Sequence, residues 1–476
     1  MRKRLLSFRT ISFLLILASI VAVAGCGGGQ AQNPPAPQAA NVSLSMTDAP
    51  PAGVTVISFE VSLTGATLNP GSADLLAGKG PLRIEVKKLE TENAFLSTAQ
   101  VPPGSYTSLN LTFANPELTF KNDTGAALAG CAAGSVCEIK PSGTLTATVN
   151  GSFTVADNAK TGLLVDVNLA NLFSNTLALD FSAAGALSVS SQTRRTDKDD
   201  LEDLDEVEGI IKTPANNSFT LQTMDLGNIT VTTDANTRFE DFEGCAAANF
   251  SCLADGQSIE ADLMVVAGGG FLARKIELED NQQEANDDEL DGVIFKVDGP
   301  TQFEIVVIDE LRSVANVSVG DPVIVTLQTT GGGTSFRVDT NGLTVPVSLQ
   351  QAFEGATDTS QLLTGQTVQI RKVSMSGGPA PAAITITTNR VRLRGTRFTA
   401  TVSGAPTGNN FNVAGLPSLF TTAGITLIQV QTSSQTEFEN ATGVSGLADG
   451  VVVSLRGLLF KSTPNPVLIA DKVRKR

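Results

Sequence analysis

Carboxylates and cysteines are the side chains with chemistry to offer here, because the 476-residue chain contains no histidine. That absence excludes Ser-His-Asp triads, HExxH zinc sites and any imidazole general base. No G-x-S-x-G, S-x-x-K or P-loop pattern occurs either. Residues 197–208 hold eight carboxylates in twelve positions, and residues 280–291 form a second acidic stretch. Hard oxygen ligands at short spacing suit Ca2+, which makes Asp197, Asp199, Asp200, Glu202, Asp203 and Asp205 the candidate ligands. Against calcium, the first run lacks the glycine of an EF-hand loop, and neither run alternates ligand positions up to a distal Glu. The competing reading, adopted here, is a pair of solvated, self-repelling linkers with no cofactor. A carboxylate-pair hydrolase needs two acids set apart from the rest, and nothing in the sequence sets two apart. Asp48, in Thr47-Asp48-Ala49-Pro50, reads as a turn residue whose carboxylate caps its own backbone.

The five cysteines divide by position. Cys26 closes the run Val23-Ala24-Gly25-Cys26. Ahead of it, Arg2, Lys3, Arg4 and Arg9 form a basic region, and residues 11–24 an apolar stretch. That stretch fits a signal peptide and falls short of the roughly 20 residues a spanning helix needs. The run resembles the bacterial lipobox, in which the cysteine sulfur receives a diacylglycerol and the chain is cut just before it. The resemblance implies a signal peptide over residues 1–25, a lipidated Cys26, and a protein exported and held in the cell envelope through its N-terminal lipid. Lipoproteins kept at the inner membrane often carry Asp after the cysteine. Gly27 therefore implies outer-membrane or surface placement. An ordinary A-x-A cleavage site with a chance cysteine, or an N-terminal membrane helix, is the alternative. In an exported chain, Cys131 with Cys137 and Cys245 with Cys252 read as two local disulfides. Structural zinc usually shows C-x2-4-C spacing, which neither pair has. Free buried thiols are the remaining alternative.

The elements that position these residues are strands. The chain has no Trp, one Tyr and 23 Phe, with 44 Gly, a composition that favours short strands and turns. Removing the four signal cations leaves 29 Lys and Arg against 48 Asp and Glu, a charge of about −19. Such a field repels phosphate backbones, so no nucleic-acid partner is expected. Residues 26–40, rich in Gly, Pro and Gln, read as a spacer, with a disordered remnant without function as the alternative. Residues 41–192 carry alternating runs such as Leu109, Leu111, Phe113 and Leu163, Val165, Val167, which predict a β-sandwich. A phase switch after Val56 predicts a β-bulge, and Asn150-Gly151 a hairpin turn. Residues 193–206 and 281–289 are the expected acidic linkers. Between and after them a pattern recurs. Phe219-Thr220-Leu221 corresponds to Phe411-Asn412-Val413, Thr237-Arg238-Phe239 to Thr436-Glu437-Phe438, and Leu253-Ala254-Asp255-Gly256 to Leu447-Ala448-Asp449-Gly450. Three small barrels are expected, over 207–280, a longer 290–396, and 397–476. The terminal Val473-Arg474-Lys475-Arg476 reads as a frayed tail, with contact to anionic lipid as the alternative.

Two resemblances follow from these residues. Thr47 to Pro50 and Pro102-Pro103-Gly104-Ser105-Tyr106 resemble the T-D-A-P turn and P-x-G-x-Y strand entry of a family of bacterial lipoprotein domains of unknown function. The repeats resemble a second bacterial family of unknown function, small barrels similar to an OB-fold found in tandem in exported proteins. The overall expectation is an all-β, non-catalytic, membrane-anchored envelope lipoprotein acting as a structural or interaction module with an envelope or extracellular partner. The alternative is an extracytoplasmic ligand-binding protein for polysaccharide, peptide or Ca2+, and the third reading is the carboxylate-dependent hydrolase.

Overall fold

The computed structural model describes residues 40–476, apart from the short segments 50–53, 77–80, 92–93, 158–159, 194–202, 224–225, 241, 243–244, 246, 267–269, 281–287, 311–313, 341 and 379–382. Strands dominate throughout, and the fold class is all-β.

The first module is a β-sandwich. One sheet places Ala40–Ala49 between Lys160–Asn168, in parallel, and Ala94–Val101, antiparallel, with Leu187–Thr193 at its edge. The other is built on the long antiparallel pair Val54–Asn69 and Gly104–Asn122. Phe59, Val61, Leu63, Leu109 and Leu111 from that pair meet Leu163, Val165 and Val167 from the first sheet in one apolar core. Two sheets packed through alternate residues are the sandwich architecture. The predicted bulge is present as a register shift between Val56 and Ser58. It turns Ile57 out of the sandwich core and onto Val306 and Leu419 of the later modules.

Two local expectations fail here. Thr47-Asp48-Ala49 is not a turn; it extends the strand Ala40–Ala49, pairing with Asp166 to Asn168. Parallel pairing with a buried partner strand outweighs the turn preference of Asp, and any turn falls in 50–53, outside the described residues. Asn150-Gly151 lies inside the strand Thr146–Val155, at a register shift against Tyr106 and Ser108. The glycine serves close packing, since a Cβ at Gly151 would stand 2.6 Å from the Phe153 ring.

Three barrels follow, with one connectivity. In the first, Asp203–Ala215 pairs with Ser218–Gln222 and with Ser258–Val265. Asn228–Thr232 follows the second strand, and Phe271–Asp280 closes the ring by pairing antiparallel with the fourth strand and parallel with the third. That strand order is OB-like. The second barrel repeats it with Glu289–Gly299, Gln302–Glu310, Pro322–Leu327, Thr367–Ser376 and Ile384–Thr407. The third uses Ile384–Thr407 again as its first strand, then Asn410–Ala414, Ile428–Gln431, Val452–Phe460 and Val467–Lys475. One 24-residue strand is thus shared by two barrels. Its inward side changes from Val391 and Leu393, in the second core, to Phe398, Ala400 and Val402, in the third. The second copy is longer because the helix Val347–Glu354 lies between its third and fourth strands, packing Phe353 against Phe336 at 5.7 Å.

The repeated motifs are turn chemistry. In L-A-D-G, Asp255 and Asp449 accept hydrogen bonds from the backbone N–H of Thr213 (2.8 Å) and Gly404 (2.7 Å) at the end of each first strand. Gly256, Gly365 and Gly450 take φ of 88°, 88° and 82°, conformations that favour glycine. Thr237 and Thr436 donate to the carbonyls of Ala273 and Ala470, both at 2.7 Å.

The acidic stretches are only partly what a linker would be. Residues 203–208 form the start of the first barrel's first strand, and Glu289 to Asp291 the start of the second's. Strand pairing and ion pairing, described next, overcome their mutual repulsion.

Candidate functional site

Cys26, and Asp197, Asp199, Asp200 and Glu202 among the calcium candidates, lie outside the described residues. Asp203 and Asp205 sit on a strand rather than in a loop. Among the described residues no group of three or more Asp, Glu or Cys is arranged to hold a metal ion. The other four cysteines form two disulfides, Cys131–Cys137 and Cys245–Cys252.

Two acids of the acidic stretches, Glu208 and Asp291, converge on Arg394, from the shared strand. On the first barrel, Glu208, Glu260, Glu277 and Glu240 stand directly opposite one another on successive strands. Like charges so placed repel. Two cations relieve them. Arg394 contacts Glu208, reaches Glu260 at 3.2 Å, and also contacts Asp339 and, at 3.4 Å, Asp291 of its own barrel. Lys275 lies 3.1 Å from Glu277 and 3.7 Å from Glu260. Burial alone would lower the Lys275 pKa, but Asp262, Glu260 and Glu277 outweigh it and raise the pKa above the ordinary lysine value. Within this row Glu260, reached by Arg394 of the second barrel, keeps only 2% of its side chain exposed, whereas Glu240 keeps 33%. The second acidic stretch is paired likewise, Glu289 with Arg390 and Asp288 with Lys372.

Lys275, Arg390 and Lys472 occupy one equivalent position, each opposite the short strand that flanks its barrel. All three are buried and paired with carboxylates. The charged final strands were visible in the sequence; their burial was not.

The sandwich docks on the second and third barrels. Lys88, on the 3-10 turn Val86–Glu90, pairs with Asp309. Ser418 donates to Asp123 at 2.6 Å, and Lys121 donates to Ser418 and Thr422 at 3.0 and 2.9 Å. Burial would raise the Asp123 pKa, yet hydrogen bonds from Lys121, Ser418 and Thr55 hold it below the usual value. Glu138 faces Asp321 across the same interface. Burial and then the Asp321 charge push its pKa up to about 7. The terminal arginines are not frayed. Arg474 donates to the Leu89 carbonyl (3.2 Å) and Arg476 to that of Glu90 (2.8 Å). Burying a guanidinium against carbonyls at the end of a 3-10 turn outweighs the tendency of a basic end to stay in water.

A cleft of about 860 Å3 lies between the first and third barrels. Asp234 and Asn236 with Arg238 and Glu240 of the flanking strand lie on one wall and Ser434, Gln435 and Glu437 on the other, with Gly342 and Leu343 of the second barrel beside them. Gln435 holds that edge, accepting from the Thr344 N–H at 2.8 Å and donating to the Gly342 carbonyl. Sequence reasoning saw both walls as repeats but had no means of facing them.

Comparison with known proteins bears on the modules. Residues 39–194 match a domain of unknown function (DUF4382), and residues 208–277 a second one (DUF5666). The first match spans the sandwich and the second lies within the first barrel. The chain thus contains regions similar to two domains of unknown function. No curated protein matches it. Among solved structures it is similar to drosophila Unr CSD456, at 10% identity over 57% of this chain and 97% of that one, with a TM-score of 0.13. A score that low carries no argument about fold or function.

Proposed function

We propose that the protein is an exported, lipid-anchored envelope protein that works without catalysis, its sandwich and barrels acting together as one interaction module at the outer membrane. One structural observation carries the module reading. Charged groups are satisfied across module boundaries, at the buried Arg394 and Arg474, the half-buried Lys88 and the exposed Arg476, which favours a single body over independently moving domains. The anchor rests on the basic and apolar segments before Cys26 and on the spacer after it. Stable anchoring takes more than one acyl chain, as a lipidated N-terminal cysteine supplies. Metabolic labelling with radioactive palmitate tests it. Wild-type protein is expected to take up label, and Cys26→Ala to remain an unlabelled, uncut precursor. Normal cutting of Cys26→Ala, with label retained, refutes the anchor.

Ligand binding is the second reading, favoured by the inter-barrel cleft. Its volume falls within the range of roughly 300–1,000 Å3 usual for small-molecule sites.

A further inference from the structure

We infer that the cleft between the first and third barrels binds a neutral oligosaccharide. The inference rests on the ligand-binding reading and gives it a chemical class.

The two walls are equivalent surfaces of two copies of one fold. Register makes Asp262 of the first barrel equivalent to Arg456 of the third, because each pairs with the buried lysine of its final strand. The preceding residues of those strands, Arg274 and Asp471, are likewise equivalent. On the flanking strands Arg238 corresponds to Glu437. All six line the cleft, and at each of the three positions the sign of charge is reversed between walls. The lining therefore carries both signs in near balance, and Arg456 holds Asp471 at 2.6 Å within one wall.

That pattern selects among ligands. A ligand with net charge leaves part of the balanced lining uncompensated, at the cost of a desolvated charge. An apolar ligand strips water from every wall group and replaces none of its hydrogen bonds. A hydroxyl both donates and accepts, so neighbouring hydroxyls can bridge a guanidinium and a carboxylate without disturbing their balance. Guanidinium and carboxylate groups also bind in forked, two-point fashion, which suits adjacent hydroxyls on a ring. The side-chain amide of Asn236 adds a neutral donor and acceptor, while its counterpart on the other wall, Gln435, is held by Thr344 and Gly342. Met264 and Leu272 offer a small apolar patch for the C–H face of a sugar. A peptide is less well matched, since few apolar residues line the cleft to seat its side chains.

The test is calorimetric titration of the full-length protein, in a detergent without sugar headgroups, with maltopentaose, cellopentaose, chitopentaose, polygalacturonate and a Gly-Ser decapeptide. Saturable binding of at least one neutral oligosaccharide is expected. The pair Asn236→Ala and Arg238→Ala should weaken it at least tenfold, and Ser434→Trp, which projects an indole from one wall into the cleft, should abolish it. Unchanged thermal unfolding of each variant keeps the comparison clean. Binding of polygalacturonate or the peptide alone, lost in Ser434→Trp, overturns the sugar class while leaving the cleft a binding site. Binding that survives Ser434→Trp, or none at all, overturns the site itself.

Discussion

Glu85 shows how one buried acid makes the stability of the molecule depend on pH. Its carboxyl accepts from Ser58 Oγ at 2.6 Å and from the backbone N–H of Phe59 and Lys87 at 2.9 and 3.0 Å. Burial nevertheless dominates and lifts its pKa from 4.5 to about 7, against those hydrogen bonds. A folded pKa above the unfolded one means that folding is favoured by proton uptake. The contribution is complete below about pH 4.5 and lost as pH rises through 7. Glu85→Gln keeps the acceptor and removes the charge. It should flatten the fall in urea-unfolding free energy between pH 5 and 8, leaving the variant roughly 2–3 kcal/mol more stable than wild type at pH 8. Parallel pH profiles contradict this. At this scale the sequence was readable where chemistry is local. Two cysteines six or seven residues apart lie within easy reach of each other, and both disulfides formed. Asn150-Gly151 was misread because a dipeptide has the same composition in a hairpin and in a bulge. What distinguishes them is the Phe153 ring beside Gly151, a contact that only the folded strand creates.

At the scale of elements, the shared strand Ile384–Thr407 carries the architecture. Its hydrophobic phase changes between Leu393 and Phe398, and sequence reasoning placed a domain boundary there. The phase reports which core each side chain enters. It is silent on whether the backbone continues, and here it does. The crossing is tightly packed. Thr396 pairs with Gly457, where a Cβ would stand 2.2 Å from the Ile469 carbonyl oxygen. Backbone cannot yield as a flexible side chain does, so Gly457→Ala should cost about 3 kcal/mol or more by urea unfolding. Gly104→Ala, with nothing within 4 Å of the added Cβ, should stay within about 0.5 kcal/mol and serves as the control. Equal, small effects would mean that the crossing relaxes freely. The repeat itself was legible because its L-x-x-G turns and threonine caps are short-range devices, recurring wherever the barrel does.

At the scale of the molecule, charge was legible in amount and not in destination. A block of like charges reads as solvated until its counter-ions are placed. Those for Glu208 and Glu260 come from Arg394, 186 and 134 residues away in the chain. The same long range hid the docking of Arg474 and Arg476 on the sandwich and the facing of the two cleft walls. Removing one partner from a buried ion-pair network usually costs 3–5 kcal/mol, since the stranded charges stay desolvated. Arg394→Met leaves Glu208, Glu260, Asp291 and Asp339 facing one another without their shared cation, and should release the first barrel from the rest. The central claim is that sandwich and barrels form one body joined by these contacts. Differential scanning calorimetry of wild type beside Arg394→Met tests it most directly. One cooperative transition is predicted for wild type, with a separate, lower-temperature transition emerging in the variant. Several independent transitions in wild type, unmoved by the substitution, would contradict it.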